Sequence, residues 1–434
     1  MPEAAEKIMS EQIAAARQEL RDQIDAKVAS YFSTCVHCGL CAEACQFYVE
    51  TGDPHYTPIY KLEPMRKLWR QEHTLGGKLK KMLGRSEALT EQDFAGWEEL
   101  VYDSCNLCGR CSMVCPVGID IAYMLRKQRE GFSKSGYAPD GMKEATKRTL
   151  EIGSPMGVTL KTLKASLVHV EKAIGMTIPI DVAGAEYMTL FSSMEVVNFP
   201  EYIESLARIF KAAGVSWTIS SEAFEATNAG IQIGSRDAAR EIVGRVVNAA
   251  EKLGVKYVIS PECGHAYTAI RWEGPNLIGR PYKFDVIHIL ELLDQLHKAG
   301  RLQLAGKTDT PMTLHDPCQI VRRGGVIEPP RNLLHQVASG FVETTDHGTM
   351  NWCCGGGGGV SANERAEPLR VKVFRRKQQQ FEEIGVKTVV TACANCRIVL
   401  EEGLEHYDML DTEVIGLTEL LAEHLPEESL PTAD

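Results

Sequence analysis

Cys35-Val36-His37-Cys38-Gly39-Leu40-Cys41-Ala42-Glu43-Ala44-Cys45 and, 70 residues further on, Cys105-Asn106-Leu107-Cys108-Gly109-Arg110-Cys111-Ser112-Met113-Val114-Cys115 are two copies of Cys-x2-Cys-x2-Cys-x3-Cys. Three thiolates at this spacing wrap one corner of an iron–sulfur cubane, and the fourth cysteine of each run ligates the other cluster where two are held together. The pattern assigns Cys35, Cys38, Cys41 and Cys115 to one [4Fe-4S] cluster and Cys105, Cys108, Cys111 and Cys45 to the other. Gly39 and Gly109 follow the second cysteine of each run, where a residue without Cβ lets the backbone approach a cluster closely. The runs differ after their last cysteine: Pro116 follows Cys115, but Gln46 follows Cys45. That difference removes no ligand. Structural zinc usually joins two cysteine pairs across a longer loop, which is not the form of a doubled four-cysteine run.

The rest of the composition fits an intracellular redox protein. With 434 residues the chain is long enough for two or three domains, and 44% hydrophobic residues supply a core. A net charge of −11 argues against a nucleic-acid footprint, which needs basic stripes. Of 14 cysteines, only Cys263 and Cys318 stand outside tight groups. Residues 1–30 are charged and lack the apolar stretch of a secretory signal, and no apolar run reaches the length of a membrane span. A cytoplasmic location follows as the expectation, and there grouped cysteines read as metal ligands or redox groups rather than disulfides.

Residues 7–30 have the period of an amphipathic helix (Ile13, Leu20, Ile24, Val28), expected to pack on its own domain or on a partner. A membrane-surface helix would want a more basic polar face. The insert between the cysteine runs is helical in pattern over 61–83. From about residue 185 short apolar runs alternate with helical stretches. Strands are expected at 187–191, 215–219, 255–259, 312–314, 341–343 and 387–391. Helices are expected at 200–213, 236–253, 284–299, 328–338, 362–384 and 416–424. Such alternation points to α/β units with largely parallel sheets. The fold class is α+β and α/β multidomain: an N-terminal helix (1–30), a largely helical two-cluster domain with an insert (31–150), a linker (151–184) and two similar Rossmann-like halves (185–305 and 306–434).

The second half carries Cys318, Cys353-Cys354-Gly355 and Cys393-x2-Cys396, each just after a strand or in the loop before the next helix. Open α/β sheets bind ligands outside the carboxyl ends of their strands. Three such loops can converge on one site with five thiols, and two adjacent thiolates suit a cluster less regular than a cubane. The glycines from Gly355 to Gly359 lack the Lys-Ser/Thr of a P-loop and do not match the dinucleotide fingerprint. The remaining readings are a flexible tether, or Gly355 and Gly356 packing backbone N–H groups against cluster sulfurs. His315 reads as a proton donor near neutrality, and equally as a structural histidine bonded to backbone. Arg322 and Arg323 either offset the charge of a thiolate-bound cluster or form a solvated face.

The first half is a degenerate copy. Pro261-Glu262-Cys263-Gly264-His265 stands where the second half has Thr391-Ala392-Cys393-Ala394-Asn395-Cys396, and Ser192-Ser193 shows no counterpart of Cys318. Cys263 and His265 read as a thiol–imidazole pair facing the intact site across the interface between the halves. The alternative is a buried leftover thiol.

Over residues 31–425 these motifs resemble the heterodisulfide reductase-like iron–sulfur proteins, in which a two-cluster ferredoxin-type domain is joined to paired cysteine-rich "CCG" domains. Glu262-Cys263-Gly264-His265, Thr34-Cys35-Val36-His37-Cys38-Gly39 and Gly52-Asp53-Pro54 are similar to the K subunit of the sulfite-reductase-linked membrane complex and related transmembrane-complex subunits. The resemblance implies a noncubane [4Fe-4S] cluster on Cys318, Cys353, Cys354, Cys393 and Cys396, beside two cubane clusters, with no flavin or nucleotide bound by this chain. It implies thiol/disulfide chemistry at iron, with Cys263, His265 and His315 as catalytic candidates. The partners implied are a membrane cytochrome b-type or other electron-transfer subunit and a cytoplasmic thiol/disulfide protein or small thiol, with no nucleic acid. The chain would be cytoplasmic, peripheral on the inner membrane through its partner. The competing function is an electron-relay subunit of a flavin-dependent glycolate, lactate or glycerol-3-phosphate dehydrogenase complex, with the flavin on another chain.

Overall fold

The computed structural model describes residues 2–85 and 88–426, and they form two compact units. The first unit combines residues up to Glu144 with two short excursions from later in the chain, Gly230–Arg236 and Gly355–Arg376. The second takes the remainder.

The first unit is helical. The periodicity read over 7–30 resolves into two helices, Pro2–Asp22 and Ala26–Thr34, broken where the Asp25 carboxylate accepts from Val28 N at 2.8 Å and caps the second. Ile13, Ala16, Leu20, Val28 and Phe32 are buried in one core with Met124, Leu125 and Phe132 of the helix Ile121–Lys134. Contact is so close that a Cβ on Gly131 would lie 2.2 Å from Leu20 Cγ. The N-terminal helix therefore packs on its own domain. The insert read as helical over 61–83 is a pair, Glu63–His73 and Leu75–Met82.

The second unit holds two parallel sheets. The first comprises β1 (Tyr187–Thr189), β2 (Trp217–Thr218), β3 (Tyr257–Ser260) and β4 (Asp285–His288), in the order β2-β1-β3-β4. The second comprises β5 (Met312–His315), β6 (Thr388–Thr391) and β7 (Glu413–Gly416), in the order β5-β6-β7. A parallel bridge from Phe341 to Met312 adds a fourth position on the outer side of β5. The two sheets thus share one strand order, and each half carries a switch point: the chain leaves β1 toward one side and β3 toward the other, as it does at β5 and β6. Loops after such strands diverge and open a crevice.

Two strands were hidden in the sequence. β4 lies inside the stretch read as a helix over 284–299, whose helical part is Ile289–Lys298, and β7 runs straight into Leu417–Glu423. In both, a buried parallel strand passes into a helix with no proline at the junction. His288 marks the β4 junction instead, accepting from Leu290 N at 3.2 Å while the Glu291 carboxylate accepts from His288 N at 2.9 Å. Between Ile152 and the first sheet lies a helix, Leu160–Ile174, that buries Leu163, Leu167, Val170 and Ile174.

Candidate iron–sulfur centres

Each four-cysteine run in the first unit makes the same backbone turn. His37 and Leu107, two residues after the first cysteine, have φ of 56° and 53°, and Gly39 and Gly109 have φ of 85° and 78°. Short helices, Leu40–Glu43 and Arg110–Met113, follow. The positive φ is what demands glycine at 39 and 109. Alternating right- and left-handed residues turn successive N–H groups inward, the geometry that cradles anionic groups.

The turns bring the expected ligand sets together. A cavity of about 230 Å³ is lined by Cys35, Cys38, Cys41 and Cys115 with Ile59, Ile119 and Ile121. Burial, and then the charges of Cys108, Cys45, Cys105 and Cys41, push the Cys111 thiol well up, so Cys45 lies within electrostatic reach of the second run. Four thiols around an apolar cavity suit a group that takes thiolates and carries iron. The surroundings differ between the runs. Around the first, Cys38, Val36, Leu40, Met113 and Val117 are exposed. Around the second, two buried cations converge: Lys61 Nζ lies 3.8 Å from Cys45 Sγ and donates to the Ser104 carbonyl, and Arg129 Nη2 donates to the Cys105 carbonyl at 2.8 Å.

The glycine run is docked rather than loose. Asn106 Nδ2 donates to the carbonyls of Gly355 and, at 3.2 Å, Gly357, while Gln46 Nε2 donates to Asn106 Oδ1 at 3.3 Å. A Cβ on Gly358 would lie 2.8 Å from the Asn106 carbonyl carbon, and one on Gly359 2.4 Å from Met142 Cε. Glutamine in place of proline at 46 therefore supplies an amide that steadies Asn106. Gly356 accepts from Ser361 N at 3.1 Å.

In the second unit the loops after β5 and β6, and the loop beyond the Phe341 position, converge as their strand order dictates. Cys318 Sγ and Cys353 Sγ are 3.9 Å apart, and Cys354 Sγ and Cys396 Sγ 3.3 Å. Cys393 stands just before the helix Ala394–His406, and hydrogen bonding from Cys396 holds its thiol below the ordinary value. All five thiols are buried, and none is in a disulfide. Hydrogen bonds from Cys353 and Cys396, and a weaker one from His315, hold Cys354 well below the usual thiol range. The His315 ring is fully buried, and one of its nitrogens lies within 4.8 Å of the Cys354 and Cys396 thiols. A buried imidazole beside converging thiols is the donor set of a metal centre. Burial depresses its pKa, so the ring is neutral near pH 7 and does not titrate there as expected of a proton donor.

Cations surround this set as well. Lys377 is buried, its pKa lowered by desolvation to about 8, and donates to Asn351 Oδ1 at 2.7 Å; the charges of Asp316, Cys354 and Cys353 act on it. Asp316, beside His315, takes two 2.8 Å bonds from Arg331 and one from Gly348 N. Arg322 donates to the carbonyls of Thr349 and Asn351, bracing the approach to Cys353. Arg323 takes part through its backbone, donating to the Cys318 carbonyl at 3.0 Å.

The first half faces this set. Cys263 caps Gly264–Tyr267 with φ −139° and ψ 105°, against −149° and 112° at Cys393. Ala394 N donates to the Glu262 carbonyl at 2.9 Å, and a Cβ on Gly264 would lie 2.7 Å from Gln319 Cβ. Glycine at 264 thus lets the halves meet. Cys263 Sγ is 3.4 Å from Thr227 Oγ1, and burial followed by the charge of Cys393 raises its pKa. His265 is half-buried in the next turn, its carbonyl accepting from Thr268. Around Cys263 the first half supplies carboxyls instead of thiols: Glu225, Glu195 and Glu262 are buried and pushed up by desolvation, Glu262 to about 8.

Residues 31–119 match the 4Fe-4S dicluster domain and residues 312–401 the cysteine-rich domain called CCG. The chain is similar to the Hdr-like menaquinol oxidoreductase iron-sulfur subunit 2 of Archaeoglobus fulgidus, 28% identical over 91% of this chain and 80% of that one. It is likewise similar to the D subunit of the dihydromethanophenazine:CoB--CoM heterodisulfide reductase of Methanosarcina barkeri, 26% identical over 90% of this chain and 93% of that one. The EtfAB:quinone oxidoreductase of Syntrophomonas wolfei is 25% identical over 89% of this chain and 57% of its own length. The chain thus pairs a dicluster domain with a CCG domain and is similar over most of its length to heterodisulfide reductase-like iron–sulfur subunits.

Its two matched domains and its relatives make it an electron-transfer iron–sulfur protein of the [4Fe-4S] type. Among the described residues no helix is long and apolar enough to cross a membrane. Sequence reasoning missed three buried cations, Lys61, Arg129 and Lys377. Each has other charged residues close by in the sequence, and only tertiary structure distinguishes a buried cation from its neighbours. The available signal for Lys377 was its place four residues before Phe381 on the buried face of Glu367–Ile384.

Proposed function

We propose that the protein is the catalytic iron–sulfur subunit of a thiol/disulfide oxidoreductase. It would pass electrons between a membrane quinone or cytochrome b partner and a cytoplasmic thiol or disulfide. Cys35, Cys38, Cys41 and Cys115 hold one cubane cluster; Cys105, Cys108, Cys111 and Cys45 hold the second; Cys318, Cys353, Cys354, Cys393 and Cys396 hold a noncubane cluster. The observation that carries this reading is the burial of five thiols at a topological switch point, two of them within 4.8 Å of an imidazole, faced by the first half with one further thiol.

When bound, the clusters supply one-electron transfer and an iron site at which sulfur can be exchanged. The chain's residues do the rest. Lys377, and Arg331 acting through Asp316, set the charge around the thiolates. The neutral His315 ring offers a ligand or a hydrogen bond to sulfur. Glu262, pushed up to about 8 by burial, holds a proton next to Cys263.

The test is anaerobic EPR of the iron-loaded protein during disulfide titration, with iron counted. The wild type is expected to show a third centre that responds to sulfur substrate. Cys353→Ser is expected to lose that centre and disulfide turnover while both cubanes remain reducible; turnover retained in this variant would refute the reading. A second reading, relay from a flavoprotein to a quinone, is favoured by the likeness to a protein named EtfAB:quinone oxidoreductase. Copurification with a flavoprotein and no response to disulfide would select it.

A further inference from the structure

We propose that the helix Leu75–Met82 is a membrane-surface helix that seats this chain on an anionic lipid bilayer through its own residues. Thr74 caps it, accepting from Gly77 N at 3.1 Å. Gly77 is pressed against the preceding helix, since a Cβ there would lie 1.9 Å from the Arg70 carbonyl oxygen. At about 100° per residue, Leu75, Leu79, Met82 and Leu83 occupy an arc of about 100° whose centre points about 170° away from Gly77. That apolar stripe therefore faces away from the chain, and its members are 88%, 52%, 76% and 57% exposed. The neighbouring helix Glu63–His73 behaves conventionally and buries Pro64, Met65 and Leu68.

The charges around the stripe decide what covers it. Lys78 and Lys80 flank it on opposite sides, Lys81 lies behind and Arg85 follows, all exposed. Among the described residues none of the four is in an ion pair. The whole chain carries −11, so an anionic surface repels most of it and attracts this cluster, which fixes an orientation. Protein interfaces are enriched in aromatics and depleted in lysine. Leu75–Arg85 has no aromatic residue and three lysines, two of them at the borders of a leucine and methionine stripe, where their stems can lie on lipid and their ammonium groups reach phosphate. The seat also bears on electron entry. Arg66 touches the His37 ring at 3.3 Å, beside Cys38, and the helix rises only about 10 Å from there to His73. The exposed cluster run is thus the one held toward the lipid.

The experiment is flotation of the iron-loaded full chain with vesicles of phosphatidylcholine alone or mixed with phosphatidylglycerol. Binding to the anionic vesicles, weakened by salt, is expected. Leu75→Ser with Leu79→Ser should cut it about tenfold, and each of Lys78→Gln, Lys80→Gln and Lys81→Gln about fivefold. Visible cluster absorbance checks that the variants fold; should the double variant lose it, Leu75→Ser alone, at the most exposed position, gives the reading. No flotation at low salt, or variants that float as the wild type does, would overturn the proposal. So would capture of a membrane protein lost in these variants while vesicle binding is absent.

Discussion

The two halves of the second unit share a strand order and differ in what their loops present. After β5 and β6 the second half places Cys318, Cys393 and Cys396; after β1 and β3 the first half places Ser193 and Cys263, with Glu225 bonded to the serine. Cys263 and Cys393 keep nearly the same backbone angles at equivalent helix starts. The difference teaches that two halves of one strand order can meet at a site for which only one supplies the thiol set, because Glu262 and Gly264 of the first half abut the loops of the second. The first half brings buried carboxyls where the second brings thiols.

Four substitutions test that contrast. The largest effect is expected at Asp316→Ala, which takes the fully buried partner from largely buried Arg331, leaves it only the more exposed Glu343, and should cost about 3 kcal/mol in denaturant unfolding of the loaded protein. The first half has no such pair at the equivalent place, so an equally severe loss at Ser192→Ala would blur the distinction. Gly264→Ala comes next: its methyl would meet Gln319 where the halves join, for about 1–3 kcal/mol. No loss there would mean that the halves do not press together at this turn.

Glu262→Gln addresses the carboxyl side. Desolvation raises the Glu262 pKa from 4.5 to about 8, so the folded protein holds a proton that the unfolded chain releases. Stability from this group is present at low pH and falls as pH rises between those values. Gln keeps the oxygen that accepts from Thr418 at 2.6 Å and removes the titration. Stability of the variant should decline less over that window, by on the order of 1 kcal/mol or more at pH 9. An unchanged pH slope would place the proton elsewhere. The smallest structural change is expected for Cys263→Ala, which should keep the third centre's spectrum and lower disulfide turnover; loss of the spectrum would make Cys263 a ligand.

Much of this was legible in the sequence because spacing carries covalent meaning. Cys35 to Cys45 and Cys105 to Cys115 declare their turns, and the crossed grouping of Cys115 with Cys35 follows from the motif. The exchange of Pro116 for Gln46 was visible, but its use was not, since Asn106 and Gly355 are brought to Gln46 only by folding. His315 read as a group titrating near neutrality because exposure is invisible in a sequence, and complete burial reverses the inference. β4 and β7 were lost for a related reason: in a buried parallel sheet the apolar run has no alternation and no turn to separate it from the following helix.

The borrowed segments of the first unit set a limit on dissecting this protein. Tyr102 donates its hydroxyl to the Ile233 carbonyl at 2.8 Å, and buried Asp103 accepts from Asn363 at 2.6 Å and from Arg365 at 2.7 and 2.8 Å. A gene fragment ending near residue 150 would encode all eight cysteines of the paired runs and strand these groups without their partners. A soluble miniature ferredoxin cannot be cut from this chain with one stop codon; it would need the 230–236 and 355–376 peptides grafted back or their polar contacts redesigned.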